Sequence, residues 1–296
     1  MLITYSEPLE QSRNTWITYF LLRIKQNQNN LITIVGPSGS GKTWTAISIC
    51  EMISQQNNVP FTIDNIVFGL KELMDLINSE KLKKGSCIIF DEPQVSISSR
   101  EFQSETNRVF NYLLTTFRHR NFILFFCTPY EDLLDLSSRK MFHAKFITQS
   151  IDRKNKMVQV RPFLMEYNSY QSKFYQKFLR VSYREPGESI NSVKAIKSWS
   201  IPRPSKEMIK VYETKRLIWT DKLNTEIQDR LESYERRTAI KDDRKEPTDL
   251  QQEALTKFKH YKGDIKAVAK DMDISVQMVY NHLNGAESKG YKRYKA

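Results

Sequence analysis

The chain has 296 residues, 40% of them hydrophobic and 27% charged, and it carries a net charge of +12. This composition excludes a disordered chain and leaves room for one large domain with a small one, or for two of middling size. The longest apolar runs, CIIF at 87–90 and FILFFC at 122–127, fall far short of the ~18 residues a membrane helix needs.

The first residues, MLITYSEPLEQSRN, lack a basic stretch followed by an apolar one. No secretion signal is therefore expected, and the protein reads as cytoplasmic. Cys50, Cys87 and Cys127 are odd in number, sit in apolar surroundings and show no metal-ligand spacing. They read as reduced core residues of an intracellular protein.

Apolar spacing predicts a helix over 10–28, a short buried strand at LITIVG (31–36) and a helix over 42–56. Strands are expected at 59–62 and 66–68, then a helix over 69–82. SCIIFD (86–91) reads as a buried strand, 104–117 as a helix and 122–128 as a strand. Strands alternating with helices imply a parallel sheet with both faces covered. After 139 the pattern changes to KFITQSI, MVQVRPFLM and FYQKFLRV, a meander with DRKNK as a hairpin tip, finishing the sheet edge. SWSIPRPSK (198–206) reads as a Pro-interrupted linker, and 205–237 as one long polar helix, an arm or short coiled coil. With GPSGSGKT (36–43) between the strand ending at 36 and the helix over 42–56, the expected fold class is α/β: a P-loop NTPase with a central, mostly parallel sheet and added edge strands, then a long helix and a small all-α domain. The expected boundaries are 1–197, 198–247 and 248–296.

The charge is unevenly placed. Residues 139–202 carry 13 Lys/Arg against 4 Asp/Glu, whereas residues 1–138 carry 12 against 14. A basic middle suggests a polyanion, because each Lys or Arg set on a phosphate releases counterions; the bland alternative is a solvated basic face.

GPSGSGKT (36–43) fits the P-loop pattern and stands between a predicted strand and a predicted helix. Its glycines allow close backbone approach to phosphate oxygens, and its N–H groups point inward at a helix start. Gly36, Pro37, Ser38, Gly39, Ser40, Gly41, Lys42, Thr43 and Trp44 are thus candidates for nucleotide binding, with Lys42 on the β- and γ-phosphates and Thr43 on Mg²⁺. Asp91, ending the apolar strand CIIFD, is the second Mg²⁺ candidate, and Glu92 is the candidate general base for the attacking water. No guanine-reading NKxD motif is present, which favours ATP.

FRHRNFILFFCTP (117–129) sets Arg118 and Arg120 before a strand expected beside the one that ends in Asp91. Thr128 at its far end would lie near the γ-phosphate, able to sense or orient water. The arrangement of P-loop, Asp-Glu after a strand, basic residue before the next strand and polar residue at its end resembles the HerA/FtsK superfamily of DNA-pumping ATPases, including Zot-like members. The resemblance covers about residues 30–165. It implies a ring homo-oligomer, in the common case a hexamer, in which Arg118 or Arg120 reaches the neighbour's ATP, with Arg139 and Arg100 as fallbacks. Thr128-Pro129 replaces the Thr-Gln pair of FtsK-like members.

DIKAVAKDMDISVQMVYNHL (264–283) has helix-turn-helix spacing, with Asp273 where a glycine commonly makes the turn. Ser275, Gln277, Met278, Asn281 and His282 would then face the major groove of DNA; a three-helix protein-docking module is the alternative. The functions the sequence allows are an ATP-driven DNA motor, an ATP-switched DNA-binding regulator and an AAA+ type loader. The stranded look of 139–180, where a helical lid would stand, speaks against the last.

Overall fold

The computed structural model describes residues 2–4, 15–91, 120–131, 136–184, 191–243 and 246–292. Its centre is a sheet with strand order β11-β7-β6-β2-β5-β4-β3, with β8 also paired to β7. The strands are β2 (Asn30–Val35), β3 (Ile66–Val67), β4 (Cys87–Asp91), β5 (Ile123–Thr128), β6 (Ala144–Asp152), β7 (Met157–Asn168), β8 (Lys173–Lys177) and β11 (Trp199–Pro202). From β6 through β3 all pairings are parallel, and β7 turns antiparallel to β6, β8 and β11. The P-loop strand β2 and the Asp91 strand β4 are therefore not neighbours: β5 is inserted between them and bonds to both.

Strands β2, β4 and β5 are buried at every position, which is why they read as unbroken apolar runs rather than alternating ones. Successive side chains still separate onto two faces. On one face Leu31, Ile88, Phe90, Leu124 and Phe126 join Leu73 and Ile77 of α3 (Leu70–Asn78) in one core. On the other, Phe125 meets Phe20 of α1 (Thr15–Lys25) edge-on at 6.1 Å, and Phe146 of β6 meets Trp16 at 5.0 Å. Each of these rings contributes about 1.5–3 kcal/mol on full burial. Helix α2 (Lys42–Asn57) packs on β2, β4 and β5 and ends where Asn58 takes a left-handed conformation.

Several elements differ from expectation. The helix over 10–28 is described over Thr15–Lys25, that over 69–82 ends at Asn78, and 59–62 is not a strand. FYQKFLRV is not one strand: it divides at Phe178-Leu179 into β8 and β9 (Arg180–Tyr183). β9 leaves the main sheet to pair with β1 (Leu2–Thr4) and β10 (Ser192–Ala195). The stretch read as a linker contains β11, whose Trp199 and Ile201 are buried. An edge strand tolerates Pro202 because that residue's missing N–H falls at the end of the ladder. The expected helix over 104–117 lies outside the described residues.

After a short helix α4 (Leu136–Arg139) and the meander, α5 runs from Lys206 to Asp243. Its start is tied to α2, since the Ser205 N–H donates to Glu51 Oε2 at 3.0 Å. Contacts divide the chain into two units, Met1–Leu217 and Ile218–Ala296, and the division falls within α5. In the second unit α6 (Asp249–His260), α7 (Ile265–Asp271) and α8 (Val276–Ser288) enclose Ala254, Phe258, Val268, Ala269, Val279 and Leu283. Asp273, between α7 and α8, adopts the left-handed conformation at φ 53° that its position in the turn requires.

Candidate active site

The P-loop joins the end of β2 to the start of α2. Gly41, at φ 85°, is the residue before the helix, where a left-handed backbone turns the chain into α2. Gly36 answers a different need. A Cβ there would stand 1.9 Å from Thr148 Oγ1 and 2.8 Å from Ser40 Oγ, so no side chain fits. Thr148 of β6 lies 2.7 Å from Ser40 Oγ and 3.2 Å from the Val35 carbonyl oxygen, locking the loop to the neighbouring strand. Pro37, Ser38 and Gly39 are exposed at the loop's rim, and Trp44 is half-buried beneath the Arg203 guanidinium, 4.8 Å from its ring.

Lys42 is 7% exposed and donates from Nζ to the Pro37 carbonyl at 3.0 Å. Its ammonium is thus held inside the curve of the loop, where phosphate oxygens would be met by both charge and backbone N–H groups. Thr43, one residue on, faces β4: its hydroxyl donates to Asp91 Oδ1 at 2.8 Å. Residues 48 positions apart meet here because α2 starts at the C-terminal end of β2 and packs on β4, placing its first turn beside that strand's last residue.

The second oxygen of Asp91 is held by a residue that carries no local sequence signal. Tyr212, on the second turn of α5, donates from its phenol to Asp91 Oδ2 at 2.6 Å. Both groups are buried, Asp91 at 1% and Tyr212 at 2% exposure. Burial first, and then the Asp91 carboxylate, push the phenol's pKa far above its ordinary value, so Tyr212 is a permanent donor. The Tyr212 ring stacks on Phe68 at 6.3 Å, and Lys215, one turn on, pairs with Glu72 at 2.6 Å. Glu72 in turn accepts from the Phe68 N–H at 3.0 Å.

The residues present fit a phosphate and a hard divalent cation. A glycine loop that admits no Cβ at Gly36, a lysine folded into it and a hydroxyl–carboxylate oxygen pair beside it form a donor set suited to Mg²⁺ and triphosphate.

The remaining candidates are placed as follows. Thr128 is fully buried at the end of β5, level with Val35 in the register, and its hydroxyl donates to the Tyr130 carbonyl at 2.9 Å. To donate to a phosphate or water it must exchange that partner. Arg120 is exposed and precedes the N-terminal end of β5, the end opposite Thr128, so it lies away from the P-loop of its own chain. Arg139 closes α4. Glu92, Arg100 and Arg118 lie outside the described residues. In the second unit Ser275 caps α8, accepting from the Met278 N–H at 3.2 Å, and Gln277, Met278 and Asn281 are exposed on it with His282 half-buried. Among the described residues no cluster of His, Cys, Asp or Glu suits a bound metal apart from this site's oxygen pair, and no helix is long and apolar enough to cross a membrane.

Residues 32–149 match the sequence profile of the AAA family, described as the ATPase family associated with various cellular activities. No curated protein matches the chain by sequence. Among solved structures, the N-terminal domain of zonular occludens toxin from Neisseria meningitidis is 20% identical, covering 51% of this chain and 95% of that one at a TM-score of 0.32. The HORMA:CdnC:Trip13 complex of E. coli MS115-1 contributes a chain 14% identical, covering 50% of this chain and 64% of that one at 0.36. The FIGL-1 AAA domain is 18% identical, covering 47% of this chain and 50% of that one at 0.35. At these TM-scores the likenesses decide nothing about activity. With the family match and the P-loop geometry together, the chain carries a P-loop ATPase domain, similar to the AAA family over residues 32–149.

Proposed function

We propose that the protein is a Mg²⁺-dependent ATPase that hydrolyses ATP to ADP and phosphate in order to act on DNA, working in the cytoplasm as a ring of identical subunits. The observation that carries the hydrolytic part is the convergence of Lys42, Thr43 and Asp91 at the C-terminal ends of β2 and β4. Lys42 meets the β- and γ-phosphate charge, and the loop's backbone N–H groups orient the chain of phosphates. Thr43 and Asp91 hold the cation, which when bound neutralises charge developing on the phosphate oxygens. Glu92 takes the proton of the attacking water, and Thr128 orients that water after releasing the Tyr130 carbonyl.

The exposed setting of Arg120, at the strand end opposite its own P-loop, supports a role toward another subunit; Arg118 and Arg139 are the other candidates. The basic segment 139–202 and the exposed side chains of α8 support DNA as the partner. The left-handed Asp273 between α7 and α8 gives the tail the turn a helix-turn-helix needs. DNA movement, as in packaging or translocation, is the reading we favour. An AAA-type loader is the second, supported by the family match itself.

The test is the ATP hydrolysis rate against protein concentration, with and without long random-sequence DNA. A rate that rises cooperatively with protein and strongly with DNA supports the ring motor. A rate linear in protein and indifferent to DNA overturns it in favour of a nucleotide-switched regulator. Lys42→Ala should abolish turnover, and Glu92→Gln should bind ATP while hardly cleaving it.

A further inference from the structure

Beyond its anchored start, α5 carries an ordered stripe. Counting from Leu217 in sevens places Leu217, Asn224 and Leu231 at one position, a, and Thr220, Ile227 and Tyr234 at the other core position, d. Leu217, Ile227, Leu231 and Tyr234 are 66%, 44%, 58% and 68% exposed. Large apolar side chains at a 3.5-residue repeat are the seam of a two-stranded coil, in which each would insert between side chains of a facing helix. Ile218 and Trp219 interrupt the opposite face in its first turn, but from Lys222 onward that face is polar, and there Arg236 pairs with Glu232 along the helix at 3.4 Å, as an outward face does.

The charges beside the seam choose the occupant. In a parallel pair in equal register, each g position faces the e position of the next heptad on the partner. Arg230 at g then meets Glu235 at e, and Arg216 at g meets Asp221 at e, opposite signs in both cases. Since the pairing is between copies, each contact occurs twice. Asn224 at a would face its own counterpart, a polar pair that costs stability and fixes both register and strand number. We infer that α5, from Leu217 to Tyr234, is a dimerisation element that pairs in parallel with α5 of a second copy of this chain. The inference stands apart from the ATPase reading, because it uses no residue of the P-loop site and needs no nucleotide.

Two experiments on the full chain test it. The first compares Asn224→Cys, at the seam, with Asp229→Cys, at the outward f position, under mild oxidation and non-reducing electrophoresis. The native cysteines are buried and serve as the silent background. Asn224→Cys should shift from the monomer to the dimer band, and should do so equally when combined with Lys42→Ala, whereas Asp229→Cys should stay monomeric. The second mixes Arg230→Glu with Glu235→Arg. Each variant alone sets like charges across both contacts and should lose paired species by sedimentation, and the mixture should restore them. An Asn224→Cys chain that stays monomeric, an Asp229→Cys chain that crosslinks as well, or a mixture no more paired than its components would overturn the proposal. Loss of ATP turnover bears only on the ATPase reading.

Discussion

Replacing Tyr212 by phenylalanine removes one oxygen and leaves in place the ring that stacks on Phe68. What is lost is a phenol donating to a buried carboxylate oxygen at 2.6 Å. A hydrogen bond to a charged group contributes about 1.5–3 kcal/mol, and a buried acceptor left without its donor adds its own desolvation cost. At 1% exposure for Asp91 and 2% for Tyr212, water has no ready access to replace the hydroxyl. The expected destabilisation is therefore in the upper part of that range, about 2–3 kcal/mol. The assay is denaturant unfolding of wild type, Tyr212→Phe, Asp91→Ala and the double variant, read as a thermodynamic cycle. A coupling energy of roughly 1.5 kcal/mol or more is expected for residues in direct contact. Additivity to within about 0.5 kcal/mol would refute the bond's contribution and reduce the contact of α5 with the site to ring packing.

Gly36→Ala should cripple the nucleotide site, because its methyl would overlap Thr148 Oγ1; overpacking of this kind costs about 1–3 kcal/mol. Adding Thr148→Ala should recover part of the nucleotide affinity, measured by titration with a fluorescent ATP analogue. His143 accepts the Leu31 N–H on Nδ1 at 3.0 Å, and burial, then the Arg23 charge, lowers its pKa to about 3. The unfolded chain, with an ordinary value near 6.5, binds the proton more readily between those two pH values. Stability is therefore complete above about pH 6.5 and declines as pH falls toward 3, by about 2 kcal/mol at pH 5. Urea midpoints across pH 4.5–7.5 should show that slope in wild type and a flatter one in His143→Gln; equal slopes would exclude His143 as its source.

What the sequence made visible follows from how local each feature is. The P-loop was readable because its chemistry is confined to eight consecutive residues, and Asp91 because an apolar run buried on both faces ends abruptly in a charge. The two-faced burial of β5 likewise left FILFFC unmistakable. The division of FYQKFLRV into β8 and β9 was hidden, since both halves have strand composition and only their partners differ. β11 was masked by Pro202 and Pro204, which mark a linker as readily as an edge. Tyr212 had no local signal at all: its partner stands 121 positions away, and the helix that carries it is polar over most of its length.

The insertion of β5 between β2 and β4 also bears on how the protein is made. β2 is completed at Val35, yet the strands that flank it, β5 and β6, begin at Ile123 and Ala144. At a synthesis rate of roughly 5–20 residues per second, the strand leaves the ribosome on the order of ten seconds before its first neighbour exists. Throughout that interval Leu31, Ile32, Ile34 and Val35 have only α1 and α2 to pack against, with the P-loop attached to a strand that no ladder holds. A nascent chain arrested before Ile123 has no means of assembling the nucleotide site, however complete its motif, and is a natural client for chaperones that recognise exposed strands.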